Sequence, residues 1–170
     1  TGCAASGGVK NLTDGVNAAD VTLPEVNDYT MIGDLGAGLM QYAAAQDAEN
    51  PVLSPLSAYL CLAMLMPGAN ENTKAEFEKI LGADWDYVSA LAADIAAQLE
   101  KTGGSTKLDL ANSIWTDDDK AVIEEEWLKT VKAYFGPDIY SADLPSDGAL
   151  KAINKWVNDK TNGMIPKLHD

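Results

Sequence analysis

Between Ser54-Pro55 and Pro67-Gly68 runs a segment that is apolar on nearly every side: Leu56, Leu60, Cys61, Leu62, Met64 and Leu65. The Ser54 hydroxyl can accept an orphan backbone N–H, and Pro55 at the first helical position has no N–H to lose, so the pair reads as the start of a helix. Pro67-Gly68 stops it near Met66. A helix without a polar face does not sit on a surface. It needs neighbours on several sides, and the rest of the chain must supply them. Cys61, inside this run, reads as a small core hydrophobe.

The neighbours are visible as further periodic segments. Over 28–49, Ile32, Leu35, Leu39 and Tyr42 recur at helical spacing. Thr73-Lys74-Ala75-Glu76 has capping-box spacing and predicts a helix carrying Phe77, Ile80 and Leu81 inward as far as Gly82. A third runs over 85–101 with Val88, Leu91, Ile95 and Leu99 on its stripe, stopped by Gly103-Gly104. The period then changes. Leu108, Leu110, Asn112 and Ile114 share one face of a strand predicted over Thr106–Thr116, with Trp115 on the other face. Beyond it, Glu124, Glu125 and Glu126 open a helix whose apolar side is Ile123, Trp127, Leu128, Val131, Tyr134 and Phe135, and Gly136-Pro137 breaks it. A short strand is predicted over 138–144. A last helix over 147–162 turns Leu150, Ile153, Trp156 and Val157 inward, with Gly163 as its C-cap.

With an extended piece at Asn50-Pro51-Val52-Leu53, the sum is six helices and at most three short strands. Two or three strands alone are marginal in water, so strand edges and apolar helix faces call for more chain than these 170 residues. No internal repeat supplies it.

Charge excludes several function classes. Lys and Arg number 12 against 26 Asp and Glu, a net charge of -14 that repels phosphate backbones, so nucleic acid is not an expected partner. The longest apolar run, Ala58 to Pro67, is far short of the roughly 20 residues that cross a bilayer. Two cysteines, Cys3 and Cys61, make neither a disulfide framework nor a metal cluster. The single histidine, His169, has no second His or Cys near it for a zinc site or a Ser-His-Asp triad. No cofactor is expected. An enzymatic reading would rest on Asp117-Asp118-Asp119 as metal ligands or Glu124 to Glu126 as acid/base groups, but consecutive acids point in different directions and are ordinarily just solvated.

The first 27 residues, rich in Gly, Ala, Asn and Thr without sustained period, read as a leader or linker to a body over 28–170. Thr1-Gly2-Cys3-Ala4 resembles the end of a bacterial lipoprotein signal, in which the Cys becomes lipidated and N-terminal. That reading makes Cys3 a lipid anchor and places the protein outside the cell, held at the surface. The alternative is a chance cysteine.

Three motifs in order carry a family resemblance. Asn50-Pro51-Val52-Leu53-Ser54-Pro55-Leu56-Ser57 is similar to the opening of the second helix of the serpins, and Ala63-Met64-Leu65, Gly68-Ala69, Thr73, Glu76 and Leu81 continue at that family's spacing. Leu110-Ala111-Asn112-Ser113-Ile114-Trp115 resembles a strand of the serpins' main sheet. Ile153-Asn154-Lys155-Trp156-Val157, with Thr161, Gly163 and Ile165, resembles the helix lying across that sheet. The likeness spans residues 28–168. Pro51 departs from it, since the family has a strand-forming residue there and proline removes a ladder donor.

The resemblance implies an α+β serpin fold, of which this chain would be the N-terminal helical part with some strands of the main sheet. It also implies a protease inhibitor of the suicide-substrate type, in which a cleaved loop inserts into the sheet as a new strand and distorts an acyl-linked serine or cysteine protease. Such a protein is not an enzyme. Its partners would be the target protease and the C-terminal remainder of the same serpin, where the reactive loop and scissile bond would lie. By the same resemblance Ser54 and Ser57 would sit at the shutter, where strands part to admit the loop, although Ser54 also reads as a plain N-cap. Asn112 and Asn154 would be buried amides obliged to hydrogen-bond, either there or as local structural glue. A non-inhibitory serpin-fold binding protein and an acidic cell-surface interaction module remain the alternatives.

Overall fold

Helical periodicity and capping residues account for most of the secondary structure. The computed structural model describes residues 8–46, 49–100, 108 and 110–168. In chain order these form β1 (Lys10–Asn11), α1 (Thr30–Ala45), α2 (Pro55–Leu65), a 3-10 turn (Met66–Gly68), α3 (Glu71–Leu81), α4 (Trp85–Glu100), β2 (Ser113–Asp117), α5 (Glu125–Phe135), β3 (Asp138–Ala142) and α6 (Asp147–Lys160). They fall into two units. A helical unit comprises residues 19–102 with 133–135, and a sheet unit comprises residues 1–18, 103–132 and 136–170.

In the helical unit α2 packs against α1, α3 and α4. Its core holds Tyr59, Ala63, Met66, Leu81, Val88, Leu91 and Ile95, with Ile32, Leu35, Phe77 and Phe135 packed against them. Tyr59 is fully buried, and its hydroxyl donates to the Leu81 carbonyl at 3.2 Å, so its polar tip is satisfied inside. Burial, with a smaller contribution from Tyr87, pushes its pKa up to about 12. Two glycines mark close approaches. A Cβ on Gly36 of α1 would meet the Pro55 ring at 2.6 Å, so α1 and α2 meet where one has no side chain. Gly82 ends α3 at φ +79, and a Cβ there would lie 2.8 Å from Met31.

Several expectations need correcting here. The helix from Pro55 is not covered all round: Ser57, Cys61 and Leu65, spaced four apart on one stripe, are exposed, whereas Tyr59, Leu60, Ala63 and Met64 are buried. Cys61 is therefore not a core residue, because α1, α3 and α4 occupy the other sides. α1 stops at Ala45 rather than near Glu49, and Tyr42 is 68% exposed because the core is covered by the first half of the helix. α3 starts at Glu71, not Thr73: the N–H groups of Thr73 and Lys74 already bond the Asn70 carbonyl, so Thr73 lies inside the helix and no capping box forms. Ile80 of α3 is exposed, while Phe77 and Leu81 face inward as expected.

The sheet unit holds a three-stranded sheet in the order β1-β3-β2. β2 and β3 are parallel, in register from Ser113↔Asp138 to Asp117↔Ala142, and α5 provides the crossover that a parallel pair requires. β1 is antiparallel to β3, with Lys10 opposite Ser141 and Asn11 opposite Tyr140. Leu128, Val131, Ile139, Ala142, Ala149 and Val157 are buried in this unit. Ser146 caps α6 by accepting the Ala149 N–H at 3.1 Å.

Here too the boundaries move. The strand expected over Thr106–Thr116 begins at Ser113, because β3 offers no partner before Asp138, and Leu108 and Leu110 are exposed without strand pairing. Thr106, Lys107 and Asp109 lie outside the described residues, as does the Gly103-Gly104 stop. Residues 50–53 form no strand: Asn50 has φ +51 and Val52 is 94% exposed. The third strand is β1 instead, inside the stretch assigned to the leader. Lys10 and Asn11 gain ladder partners from β3, and Thr13 is buried, so this part of residues 1–27 has a structural place. α6 ends at Lys160 with Thr161 as its cap, two residues before Gly163, whose N–H returns to the Asn158 carbonyl at 2.8 Å.

Candidate functional site

The start of α2 gathers the two serines. Ser54 is extended at φ -112, ψ 93, which aims its Oγ back over the first turn; it accepts the Ser57 N–H at 3.3 Å and lies 2.8 Å from the Ser57 Oγ. The Ser54 carbonyl takes the Ala58 N–H at 3.1 Å, closing the turn around Pro55. Both side chains are exposed. The N-cap expected of Ser54 is formed, and its hydroxyl partner is Ser57. Among the described residues neither hydroxyl is paired with a base that would activate it as a nucleophile. The pair is a small polar patch whose bonds are interchangeable.

Asn112 and Asn154 belong to the sheet unit, and the structure places them at different points of it. Asn112 precedes β2, and its carbonyl accepts the Asp138 N–H at 3.1 Å, which joins the starts of the two parallel strands. Asn154 stands on α6, where its Oδ1 accepts the Leu168 N–H at 2.9 Å and holds the later chain against the helix. Both are half-buried. The structure thus brings Ser54 and Ser57 together, and ties Asn112 through its main chain to the start of β3 and Asn154 through its side chain to Leu168. Cys3 and His169 lie outside the described residues.

A third cluster has no signature in the sequence as a whole. Asp138, at the start of β3, accepts the Trp156 Nε1–H at 2.7 Å and the Lys160 ammonium at 2.8 Å through the same Oδ2, with Lys160 5.8 Å from the centre of the Trp156 ring. Burial raises the Asp138 pKa, but hydrogen bonds from Lys160 and Trp156 and the Lys160 charge outweigh it and leave it below the ordinary carboxylate value. The Trp156 and Lys160 spacing of four is legible; the acid lies 18 residues from the tryptophan, with no local signal. Across the sheet, Trp115 of β2 stacks on its register partner Tyr140 of β3, ring centres 4.3 Å apart and planes at 20°.

The acidic runs are held by local partners. Asp117 pairs with Lys120 at 2.9 Å and accepts the Asp119 N–H, and Lys129 lies 2.9 Å and 2.8 Å from Glu125 and Glu126. Among the described residues no group of three or more His, Cys, Asp or Glu could hold a metal ion, and no helix is long and apolar enough to cross a membrane. Cys61 is exposed, but partial desolvation of its thiol by the surrounding side chains raises the pKa, which disfavours the thiolate.

The model of the family described as Serpin (serine protease inhibitor) matches residues 31–170, most of the chain. The chain belongs to the serpin family. The leukocyte elastase inhibitor of Sus scrofa is 35% identical over 124 residues, covering 71% of this chain and 32% of that protein. The ovalbumin of Dromaius novaehollandiae is 30% identical over 134 residues, covering 69% of this chain and 34% of that protein. The chain therefore spans about a third of the length of these relatives. Among solved serpins, the native state of the thermophilic serpin tengpin superposes with a TM-score of 0.81 at 29% identity, over 96% of this chain and 42% of that one. A loop C-sheet serpin polymer gives 0.76 at 30% identity, over 91% and 42%. The α+β class expected from the sequence is the serpin fold, of which these helices and this small sheet are a part.

Proposed function

We propose that this chain is the N-terminal part of a serpin that inhibits a serine or cysteine protease as a suicide substrate, with the reactive loop and scissile bond on the remainder of the protein. The observation that carries this reading is the sheet itself. β2 is parallel to β3 on one side and, among the described residues, pairs with nothing on the other, so the sheet can be extended by further strands. Strand addition is the physical event that this kind of inhibition requires, since an inserted strand gains a row of ladder hydrogen bonds. The names of several relatives, among them leukocyte elastase inhibitor and plasma serine protease inhibitor, point the same way. Ser54 and Ser57 fit a shutter role because hydroxyls bonded mainly to each other can exchange partners at little cost. Nothing in this function asks a residue of the chain to be a catalyst.

The test mixes the full-length protein with a panel of serine and cysteine proteases and looks for an adduct that survives denaturing electrophoresis. A denaturation-resistant adduct with one protease supports the proposal; plain cleavage or indifference across the panel sinks it. In that event the non-inhibitory reading, a binding protein on the same scaffold, takes its place.

The surface location is part of the same proposal. Thr1-Gly2-Cys3-Ala4 has the form of a lipoprotein processing site, which supports a bacterial protein exported and anchored through Cys3. Expression with its native upstream sequence in a bacterial host, followed by mass spectrometry of the N-terminal peptide, should find an acylated Cys3. An unmodified thiol would remove the anchor.

A further inference from the structure

Residues 10–16 lie before the stretch that the family model matches, yet they are bound to the sheet unit by more than their short strand. β1 pairs only two residues with β3, and one further bond comes from the Leu12 N–H to the Ile139 carbonyl at 2.7 Å. Immediately after it the chain turns. The Asn11 Oδ1 accepts from the Thr13 N–H at 2.8 Å and the Thr13 hydroxyl at 2.7 Å, and the Val16 N–H returns to the Thr13 carbonyl at 3.3 Å. The carbonyls of Thr13 and Val16 converge on one cation: Lys132 of α5 donates to them at 3.1 Å and 2.8 Å. Lys132 is half-buried and Thr13 buried, so these are charge-assisted bonds partly shielded from water. A two-residue strand is too short to hold itself in place; the turn and Lys132 hold it.

We propose that this clasp makes the lipid anchor a short one and keeps the β1 side of the sheet unit close to the bilayer surface. The inference rests on the anchor at Cys3 proposed above. Lys10 follows Cys3 by seven residues, and seven residues reach at most about 25 Å. Were residues 10–16 unbound, the tether would run to residue 17, 14 residues from Cys3, and would reach about 50 Å. Closing the clasp therefore halves the distance to which the body can stand off. The partner is a lipid surface, and charge bears on which unit should meet it. The sheet unit carries nine lysines against 13 acidic residues, the helical unit three against 13. Anionic headgroups repel acidic surfaces, so a tether on the sheet unit brings up the less negative part of this chain.

The test uses the full-length protein expressed with its native upstream sequence and reconstituted in vesicles of phosphatidylglycerol and phosphatidylethanolamine that carry an acceptor dye on the lipid. A fluorescent amino acid replaces Asp143, which is exposed and lies two residues beyond Ser141, the partner of Lys10. Energy transfer from position 143 to the lipid should be strong in the parent and fall by at least half when ten Gly/Ser residues are inserted between Ser6 and Gly7. It should vanish in protein made without the upstream sequence, which is not acylated. Lys132→Met keeps the aliphatic stem and removes the donors. Hydrogen exchange of residues 10–16 should then be about tenfold faster or more with residues 113–117 unchanged, and transfer should fall toward that of the insertion variant, while Lys132→Arg stays close to the parent. If the methionine variant loses its cooperative melt, Leu12→Pro removes the Leu12 donor to β3 without touching α5, and the same two readings apply to it. Acylated protein whose transfer is the same with and without the insertion overturns the short tether and leaves the anchor standing, and transfer that persists without acylation overturns it too. Unchanged protection of residues 10–16, or acceleration of both segments together, overturns the clasp. An unmodified Cys3 thiol in the mass spectrum removes the anchor and this inference with it.

Discussion

The helical unit and the sheet unit bury their apolar surface by different means. In the former, side chains from α2, α3 and α4 and the turn at Met66 interlock around Tyr59 and Leu91, both fully buried, and α1 covers them with Ile32 and Leu35. In the latter, a parallel pair of five-residue strands is joined by ladder bonds, and the outer edge of β2 is left without a partner among the described residues. Helices satisfy their backbone within themselves, so a helical cluster closes once its stripes are covered; a sheet ends in an edge however well its faces are packed. The expectation that apolar helix faces and strand edges alike need more chain meets an open edge at β2 and, in the helical unit, a closed core beside exposed apolar side chains such as Met40, Tyr42, Leu65 and Ile80. The stripe of Ser57, Cys61 and Leu65 on α2 faces outward, as do Met40 and Tyr42 of α1 and Ile80 of α3.

The sharpest way to break this contrast is Leu91→Ala. If the helical core is self-supporting, deleting this fully buried side chain should cost about 2–5 kcal/mol in denaturant unfolding, while Tyr42→Ala on exposed α1 surface should stay within about 0.5 kcal/mol. Similar losses for both would mean that the helical core is not where stability resides. Gly82→Ala tests the closure between α3 and α1: φ +79 strains an alanine and its Cβ would press on Met31 Cγ at 2.8 Å, for an expected loss of about 1–3 kcal/mol by the same measurement. A smaller effect, about 1 kcal/mol, is expected of Ser54→Ala through its cap on α2 and of Ser146→Ala through its cap on α6, so the two units can be compared with one chemical change.

The smallest effect is electrostatic and belongs to the sheet unit. The Asp138 pKa is lowered in the folded protein, so its contribution to stability is present above the unfolded value near 3.8 and is lost as pH falls through the lower folded value. Thermal melts from pH 6 to pH 2 should show a steeper acid decline in the parent than in Asp138→Asn, with no divergence above about pH 5. Equal slopes would mean that Lys160 and Trp156 hold α6 to β3 no more firmly in one charge state than in the other.

How far these features can be read from the residues depends on how local their causes are. The Ser54-Pro55 cap, the Gly82 stop and the α4 stripe are legible because each is set within one helix. The start of α3 reads two residues late because Thr73 and Glu76 imitate a capping box that the Asn70 carbonyl pre-empts. β2 reads too long because alternation at Leu108 and Leu110 continues past the point where β3 offers a partner, and strand length is a property of the pair. β1 is invisible in the sequence because two residues have no period. On an apolar helix such as α2, composition does not tell which side lacks a neighbour, and so Cys61 reads as a core residue although it is exposed. Of the candidate site, the bond between Ser54 and Ser57 follows from a spacing of three at a helix start, whereas the Asp138 cluster joins residues that no spacing rule connects.

Pro55 starts α2, and its ring also fills the space that the missing side chain of Gly36 leaves in α1. Positions 36 and 55 therefore make one choice rather than two. A descendant of this chain that acquires alanine at 36 has to trim the ring at 55 or let the two helices drift apart, and one that loses the proline becomes free to enlarge 36, so substitutions at these sites should travel together.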